Sequence, residues 1–294
     1  MKRLFAVLSV LLALALAFPL TVTDDLGRTV TVKAPPKRIV TMLPSVTETV
    51  CALGACDRIV ATDDYSDWPE SVKRLPKAGG LYNPNPELIA SLKPDLVLVS
   101  KYGRLYETLE RAGLTVYAVR TETYEDIFKT VRTLGRLLGL PAEAERLVAQ
   151  IQKEVYQEEA RAAKAKARPR VYYEIDPTPY TVGPESFIGV LIQKARGVNI
   201  VPKELGLFPK ISPEFVVEKN PEVIVATYGA LEVIRKRPGW DRVRAVQTGR
   251  ICVYTGGEDS LLSRPGPRVA WAFASWWTAS TAGHDPKPSP GLKA

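Results

Sequence analysis

Histidine is almost absent from this 294-residue chain: the single copy, His284, sits in a tail with Pro286, Pro288 and Pro290. Triads that need an imidazole base, and most histidine-based metal sites, are thereby excluded. No GxGxxG fingerprint and no GxxxxGK[ST] loop occurs, so dinucleotide and P-loop nucleotide sites lack local support. The three cysteines, Cys51, Cys56 and Cys252, are an odd number. Cys51 falls within the apolar, helix-like stretch Glu48 to Leu53, and buried thiols are expected; a Cys51–Cys56 bridge would require a helix side chain to meet its own exit loop.

Charge of one sign is not concentrated anywhere. Lysine and arginine exceed aspartate and glutamate by 40 to 32, a formal +8, but the cations are scattered or sit in Arg235-Lys-Arg237 and the connecting stretch. They read as solvated surface, and no nucleic-acid partner is expected. The one long apolar run stands at the start. Met1-Lys-Arg followed by Leu4 to Ala17, ending in Ala15-Leu-Ala17, has the basic head, apolar centre and small-residue end of an export signal, with cleavage before Phe18. It is shorter than the roughly 18 residues of a spanning helix, and the first cysteine, Cys51, lies too far along to carry an N-terminal lipid. The expectation is a free periplasmic protein whose charge falls from +8 to +6 on losing Lys2 and Arg3. With no long heptad or exposed apolar repeat, a monomer is expected.

A repeat organises what remains. Pro86 to Val99, PELIASLKPDLVLV, recurs 127 positions later (213 minus 86) as Pro213 to Ala226, PEFVVEKNPEVIVA. Asn85 and Ser212 precede the two Pro-Glu pairs as helix N-caps, with proline in the first turn. Each helix ends before Pro94 or Pro221, and Leu96 to Val99 or Val223 to Ala226 then reads as a buried parallel strand. Two related lobes follow from the duplicated unit of helix, turn and strand.

Around it, Phe18 to Val32 alternates on either side of Asp24-Asp-Leu-Gly27 and predicts a hairpin. Arg38 to Leu43 and Arg58 to Thr62 predict strands, with a helix at Val46 to Leu53 closed by Gly54. Helix Leu105 to Ala112 and strand Thr115 to Val119 continue the βαβ rhythm. From Pro141 to about Lys166 an Ala-, Glu- and Lys-rich stretch with Leu147, Val148, Ile151 and Val155 predicts one long helix. Strands at Val171 to Ile175 and Ile251 to Tyr254, helices near Phe187 to Ala195 and Val269 to Trp277, and a disordered tail complete the plan. Asp63-Asp64 and Asp67 match no calcium loop and read as a solvated turn.

The segments TDDLGRTVTV, RIVTMLPSVTETVCALGACDRIV, YSDWPE, NPELIASLKPDLVLV and SPEFVVEKNPEVIV, in that order, resemble the periplasmic binding proteins that serve iron-siderophore, haem and cobalamin ABC importers, most nearly the cobalamin branch. The likeness runs from about Thr23 to Ala272. It implies the class III fold: α/β, two Rossmann-like lobes with mainly parallel sheets, joined by one long bridging helix, with the ligand in the cleft between lobes. The expected layout is a signal peptide (1–17), an N-terminal lobe (18–140), a bridging helix (141–169), a C-terminal lobe (170–279) and a disordered tail (280–294).

By motif position the resemblance makes Glu87 and Glu214 the carboxylates that dock on a permease dimer in the inner membrane. An acid in the first turn also favours the helix by about 0.3–1 kcal/mol with no partner at all. A corrinoid or porphyrin is a flat, apolar disc that aromatic faces would cover, and Tyr65 and Trp68 in YSDWPE match a cleft segment. Tyr82, Tyr102, Tyr180 and Tyr228 lie on loops beside the repeats, three of them after strand ends where α/β sheets gather ligands. Arg264 and Arg268, in RPGPR, suit a carboxylate or phosphate. Departures from the cobalamin pattern are Leu81 and Ser100 in place of two tryptophans, and Ala195 in place of a family cysteine. The resulting expectation is a non-enzymatic binding protein with no resident cofactor or metal, which captures a metal chelate for an ABC importer. A corrinoid leads, with a ferric siderophore or haem as the alternative. A two-lobed transferase or chelatase is more remote, having no identified nucleophile or base.

Overall fold

The computed structural model describes residues 18–228, 231–255 and 257–274. The expected leader, the tail with His284 and the end of the Val269 to Trp277 segment lie outside the described residues. Contacts divide the chain into two units: residues up to Arg120 with Thr130–Leu147, and Thr121–Lys129 with the chain from Val148 onward.

The first unit opens on the expected hairpin, β1 (Leu20–Thr23) antiparallel to β2 (Thr29–Val32). Asp24 sets its turn. The carboxylate accepts the backbone N–H of Leu26 at 3.0 Å and of Arg28 at 2.9 Å, and Gly27 takes φ +80°. Then come β3 (Ile39–Thr41), α1 (Pro44–Ala52), β4 (Ile59–Thr62), α2 (Pro86–Ser91), β5 (Leu96–Ser100), α3 (Leu105–Arg111) and β6 (Val116–Val119). The sheet runs β4-β3-β5-β6 and every pairing is parallel. Covered on both faces, β5 and β6 are buried at every position, which is why their sequences are unbroken apolar runs rather than alternating ones.

The cysteines correct the expectation of buried thiols in part: Cys51 and Cys56 form a disulfide, with Cα atoms 4.0 Å apart, while Cys252 is buried as expected. Gly54, at φ +87°, reverses the chain as α1 ends. Its N–H donates to Cys51 O and that of Ala55 to Val50 O, and the fold-back carries Cys56 to Cys51.

Two helices follow, α4 (Tyr124–Leu138) and α5 (Pro141–Ala162), each with residues in both units. Within the first unit they cross at Gly135, where a Cβ would lie 2.3 Å from Ala144 Cβ and 3.0 Å from Leu140 O. Only hydrogen fits there.

The second unit contains β7 (Arg170–Asp176), β8 (Tyr180–Thr181), α6 (Phe187–Lys194), β9 (Val198–Asn199), α7 (Pro213–Lys219), β10 (Val223–Ala226), α8 (Leu231–Arg235), α9 (Arg244–Gln247), β11 (Ile251–Val253) and α10 (Glu258–Ser263). Its sheet runs β11-β10-β7-β8, with β9 also on β7; all pairings are parallel except β7 with β8. Tyr172, Ile224 and Trp240 are among the fully buried side chains of its core.

Both predicted caps form. Asn85 Oδ1 accepts the N–H of Leu88 at 2.9 Å, and Ser212 Oγ accepts that of Phe215 at 3.2 Å. The partners keep the 127-residue offset.

Candidate solute-binding surface

In the first unit, the loops leaving the carboxyl ends of β4 and β5 carry the predicted aromatics. The turn after β4 is fastened from below by Asp63. Its carboxylate accepts the N–H of Tyr65 at 2.8 Å and the hydroxyl of Ser66 at 2.5 Å. Ser66 Oγ in turn shares a hydrogen bond with Thr47 at 2.7 Å, and Thr47 with Thr41 at 2.7 Å. Asp63 is therefore buried, which corrects the reading of a solvated acidic turn; Asp64 is exposed. Burial pushes the Asp63 carboxyl above its ordinary range, against the opposing pull of Ser66, the Tyr65 N–H and Lys77. Lys77 Nζ adds bonds to Thr62 Oγ1 at 2.8 Å and Ser66 O at 2.6 Å, tying the turn to the next segment. The sequence held one signal for this scaffold, an aspartate followed three residues later by serine.

On that base Tyr65 is 68% exposed. Gly80 lies against it, since a Cβ there would stand 3.1 Å from Tyr65 Cε2. Leu81 closes on the next loop, its Cδ1 3.0 Å from where a Gly103 Cβ would be. Both glycines permit close approach of loops that a side chain would separate. Tyr65, Leu81, Tyr82 and Tyr102 thus belong to one set of contacting loops, with Tyr82 95% and Tyr102 60% exposed. Lys101 Nζ sits 4.8 Å from the Tyr102 ring centroid. Trp68 follows on the same turn and is half-buried.

In the second unit, Tyr180 opens β8 with Lys210 Nζ 6.0 Å from its ring. Tyr228 follows the carboxyl end of β10, and its hydroxyl accepts a hydrogen bond from Arg237 Nη2 at 2.9 Å. Arg237 was read as part of a solvated basic run; instead it pairs with Glu174, whose side chain is wholly buried. Arg264 donates to Ser260 Oγ at 3.2 Å, and Arg268 is half-buried where the 269–274 helix begins. Among the described residues no group of three His, Cys, Asp or Glu side chains is placed to hold a metal.

Glu87 and Glu214 occupy the second position of α2 and α7, directly after the caps. Both are exposed, and neither forms an ion pair or side-chain hydrogen bond with a described residue.

A family model described as periplasmic binding protein matches residues 39–256. The uncharacterized ABC transporter substrate-binding lipoprotein YvrC of Bacillus subtilis is 32% identical over 263 residues, covering 86% of this chain and 82% of the relative. A cobalamin-binding protein of Halobacterium salinarum is 34% identical over 228 residues, 74% of this chain and 60% of the relative. Among solved structures, the periplasmic heme-binding protein RhuT of Roseiflexus superposes with a TM-score of 0.73 at 25% identity, over 84% of this chain and 98% of that one.

Proposed function

The chain belongs to the periplasmic binding protein family that serves ABC importers, and on that premise we propose that it is an exported receptor for a metal-chelate nutrient, a corrinoid before other chelates, which it hands to an ABC permease. The observation that carries the reading is the exposure of Tyr65, Leu81, Tyr82 and Tyr102 on contacting loops at the carboxyl end of a parallel sheet. Large apolar side chains grouped in this way mark a binding surface, and flat aromatic faces suit a flat macrocycle. Tyr65, Trp68, Tyr82 and Tyr102 on the first unit, and Tyr180, Tyr228, Arg264 and Arg268 on the second, are the residues assigned to the solute. The cobalamin-binding relative at 34% identity favours a corrinoid.

A second reading, haem or a ferric siderophore, is favoured by the abundance of tyrosine, because a phenolate oxygen is a good ligand for ferric iron, and by the similarity to a heme-binding protein. Under either reading the protein performs no chemistry on the solute. Glu87 and Glu214 are assigned to the permease, where two equivalent carboxylates complement two equivalent basic surfaces. Export proceeds through the leader 1–17, and cleavage before Phe18 releases an unanchored monomer, since no cysteine follows the apolar run until Cys51.

Tryptophan-fluorescence titration with cyanocobalamin, haemin and a ferric trihydroxamate tests the solute, checked by calorimetry. Saturable one-to-one binding of cyanocobalamin alone is the expected result; preference for haemin or the hydroxamate selects the second reading, and binding of none overturns both. Mass spectrometry of the secreted protein checks the start at Phe18 and the lack of lipid.

A further inference from the structure

The oxygen of Tyr228 has a partner that cannot take its proton. Arg237 Nη2 donates to it at 2.9 Å, and a guanidinium carries five donors and no acceptor. The phenolic hydrogen is left over. Tyr228 makes no other hydrogen bond to a described residue, and its ring, half-buried, packs on the core of the second unit.

Arg237 is itself held on three sides. Its two terminal nitrogens close on the Glu174 carboxylate, Nη1 to Oε2 at 2.6 Å and Nη2 to Oε1 at 2.7 Å. Tyr172 donates its hydroxyl to the same Oε2 at 2.7 Å. The guanidinium carbon lies 4.5 Å from the ring centroid of Trp240, which is fully buried. Such a two-pronged pair fixes orientation as well as distance, and the ring beneath adds a cation–π contact. The Arg237 N–H that reaches Tyr228 therefore emerges at a set place and angle, beside the carboxyl end of β10.

We propose that Arg237 is a positioning residue: clamped on Glu174, it fixes the Tyr228 oxygen and leaves the phenolic hydrogen to be donated to an acceptor oxygen on the rim of the bound solute, an amide carbonyl or a carboxylate. The inference rests on the reading that the carboxyl-end loops receive the solute, and it adds a chemical requirement to that reading. Hydrogen bonds in a chain polarise one another, so a phenol that accepts from a cation is a stronger donor. A chelate with no acceptor oxygen at this point forfeits the bond.

The test is calorimetric titration of wild type, Tyr228→Phe, Arg237→Lys and the double variant with cyanocobalamin, haemin and a ferric trihydroxamate, accompanied by thermal melts. For the probe that wild type binds, Tyr228→Phe weakens the affinity roughly 3- to 10-fold, the range of one neutral hydrogen bond, with only a small fall in the melt, since one Arg237 N–H loses its acceptor while the pair with Glu174 stays. Arg237→Lys brings a similar loss, and the double variant is no weaker than Tyr228→Phe, because both act through one bond. Tyr228→Phe leaves the Arg237–Glu174 pair in place and decides the donor role by itself. Should Arg237→Lys lose its cooperative melt, Glu174→Asp, which keeps the charge pair and shortens its arm, reads the positioning role with the same expected loss and the same lack of additivity. An unchanged affinity in Tyr228→Phe, or losses that simply add, overturns the inference alone. Wild-type protein that binds none of the probes overturns the proposed function and the inference together.

Discussion

Lys93 and Asn220, 127 residues apart (220 minus 93), turn the chain through the same left-handed conformation, at φ 47° and 45°. Each ends a repeated helix ahead of a proline. A second correspondence surrounds them. Arg38 donates its backbone N–H to Asp95 Oδ2 at 2.9 Å and its guanidinium to Leu92 O; Arg170 does the same with Glu222 Oε2 at 2.9 Å and with Asn220 O. The duplication read in the apolar pattern therefore extends to an arginine clamp that fastens helix end to strand start in both units.

The two turns predict opposite responses to substitution. Lysine has no reason to favour φ 47°, and the strain of a left-handed L-residue is about 1 kcal/mol. Lys93→Gly should therefore stabilise the protein, by roughly 0.5 kcal/mol after the entropy cost of glycine. Asn220 tolerates the conformation, and its Oδ1 also accepts the N–H of Arg244 at 2.8 Å. Asn220→Ala should cost about 1–2 kcal/mol. Urea midpoints at unchanged slope measure both changes.

Gly135→Ala tests the crossing of α4 and α5. Alanine is the better helix former by about 1 kcal/mol, but its Cβ would overlap Ala144 Cβ at 2.3 Å. Overpacking of this kind costs about 1–3 kcal/mol, so a net loss of stability is expected. Ala144→Gly in the same protein should restore part of it. A gain in melting temperature from Gly135→Ala alone would contradict the close crossing.

Two buried carboxylates should give opposite dependence on pH. Asp24 is desolvated, which raises its pKa, but the Arg28 side chain and the N–H groups of Arg28 and Ala118 outweigh this and hold it below the ordinary 3.8. Its contribution is complete above 3.8 and is lost as pH falls through the lower folded-state value. Asp63 is raised from 3.8, so its contribution declines as pH rises from 3.8 through the higher folded-state value. Asp24→Asn should flatten the acid limb of the stability profile and cost about 1–2 kcal/mol near neutrality, since Arg28 keeps its pair with Glu110 at 2.7 Å. Asp63→Asn should remove the loss of stability that accompanies rising pH above 3.8. Denaturant titrations from acid to neutral pH separate the two.

What could be read from the sequence was what apolar pattern and helix-cap or turn residues decide locally. The hairpin, the caps at Asn85 and Ser212 and the buried runs of β5 and β10 depend on neighbours within a few positions, and all were readable. The Cys51–Cys56 bond was missed although only five residues separate its ends, because it depends on how far the chain folds back at Gly54. Arg237 was taken for surface charge because its partner, Glu174, lies 63 residues earlier on another element. Asp63 looked like one of three turn acids until its hydroxyl partners, Ser66 and beyond it Thr47, were in place. Buried polar groups find their partners through the fold, and apolar periodicity carries no record of them.

Glu87 and Glu214 give the prediction that separates docking from helix stabilisation. Were their role only to favour the N-termini of α2 and α7, Glu87→Gln with Glu214→Gln would cost at most about 1 kcal/mol each and leave transport intact. As docking groups they would respond to sign. Charge reversal at both positions should abolish solute uptake by cells that depend on this protein, while affinity for the solute stays within about threefold, because exposed rim charges govern encounter more than a separate pocket does. Each single reversal should leave partial uptake, since one carboxylate would still face its basic partner. Uptake that survives the double reversal would remove both residues from the permease interface, and loss of solute binding in the same variant would place them in the solute site instead.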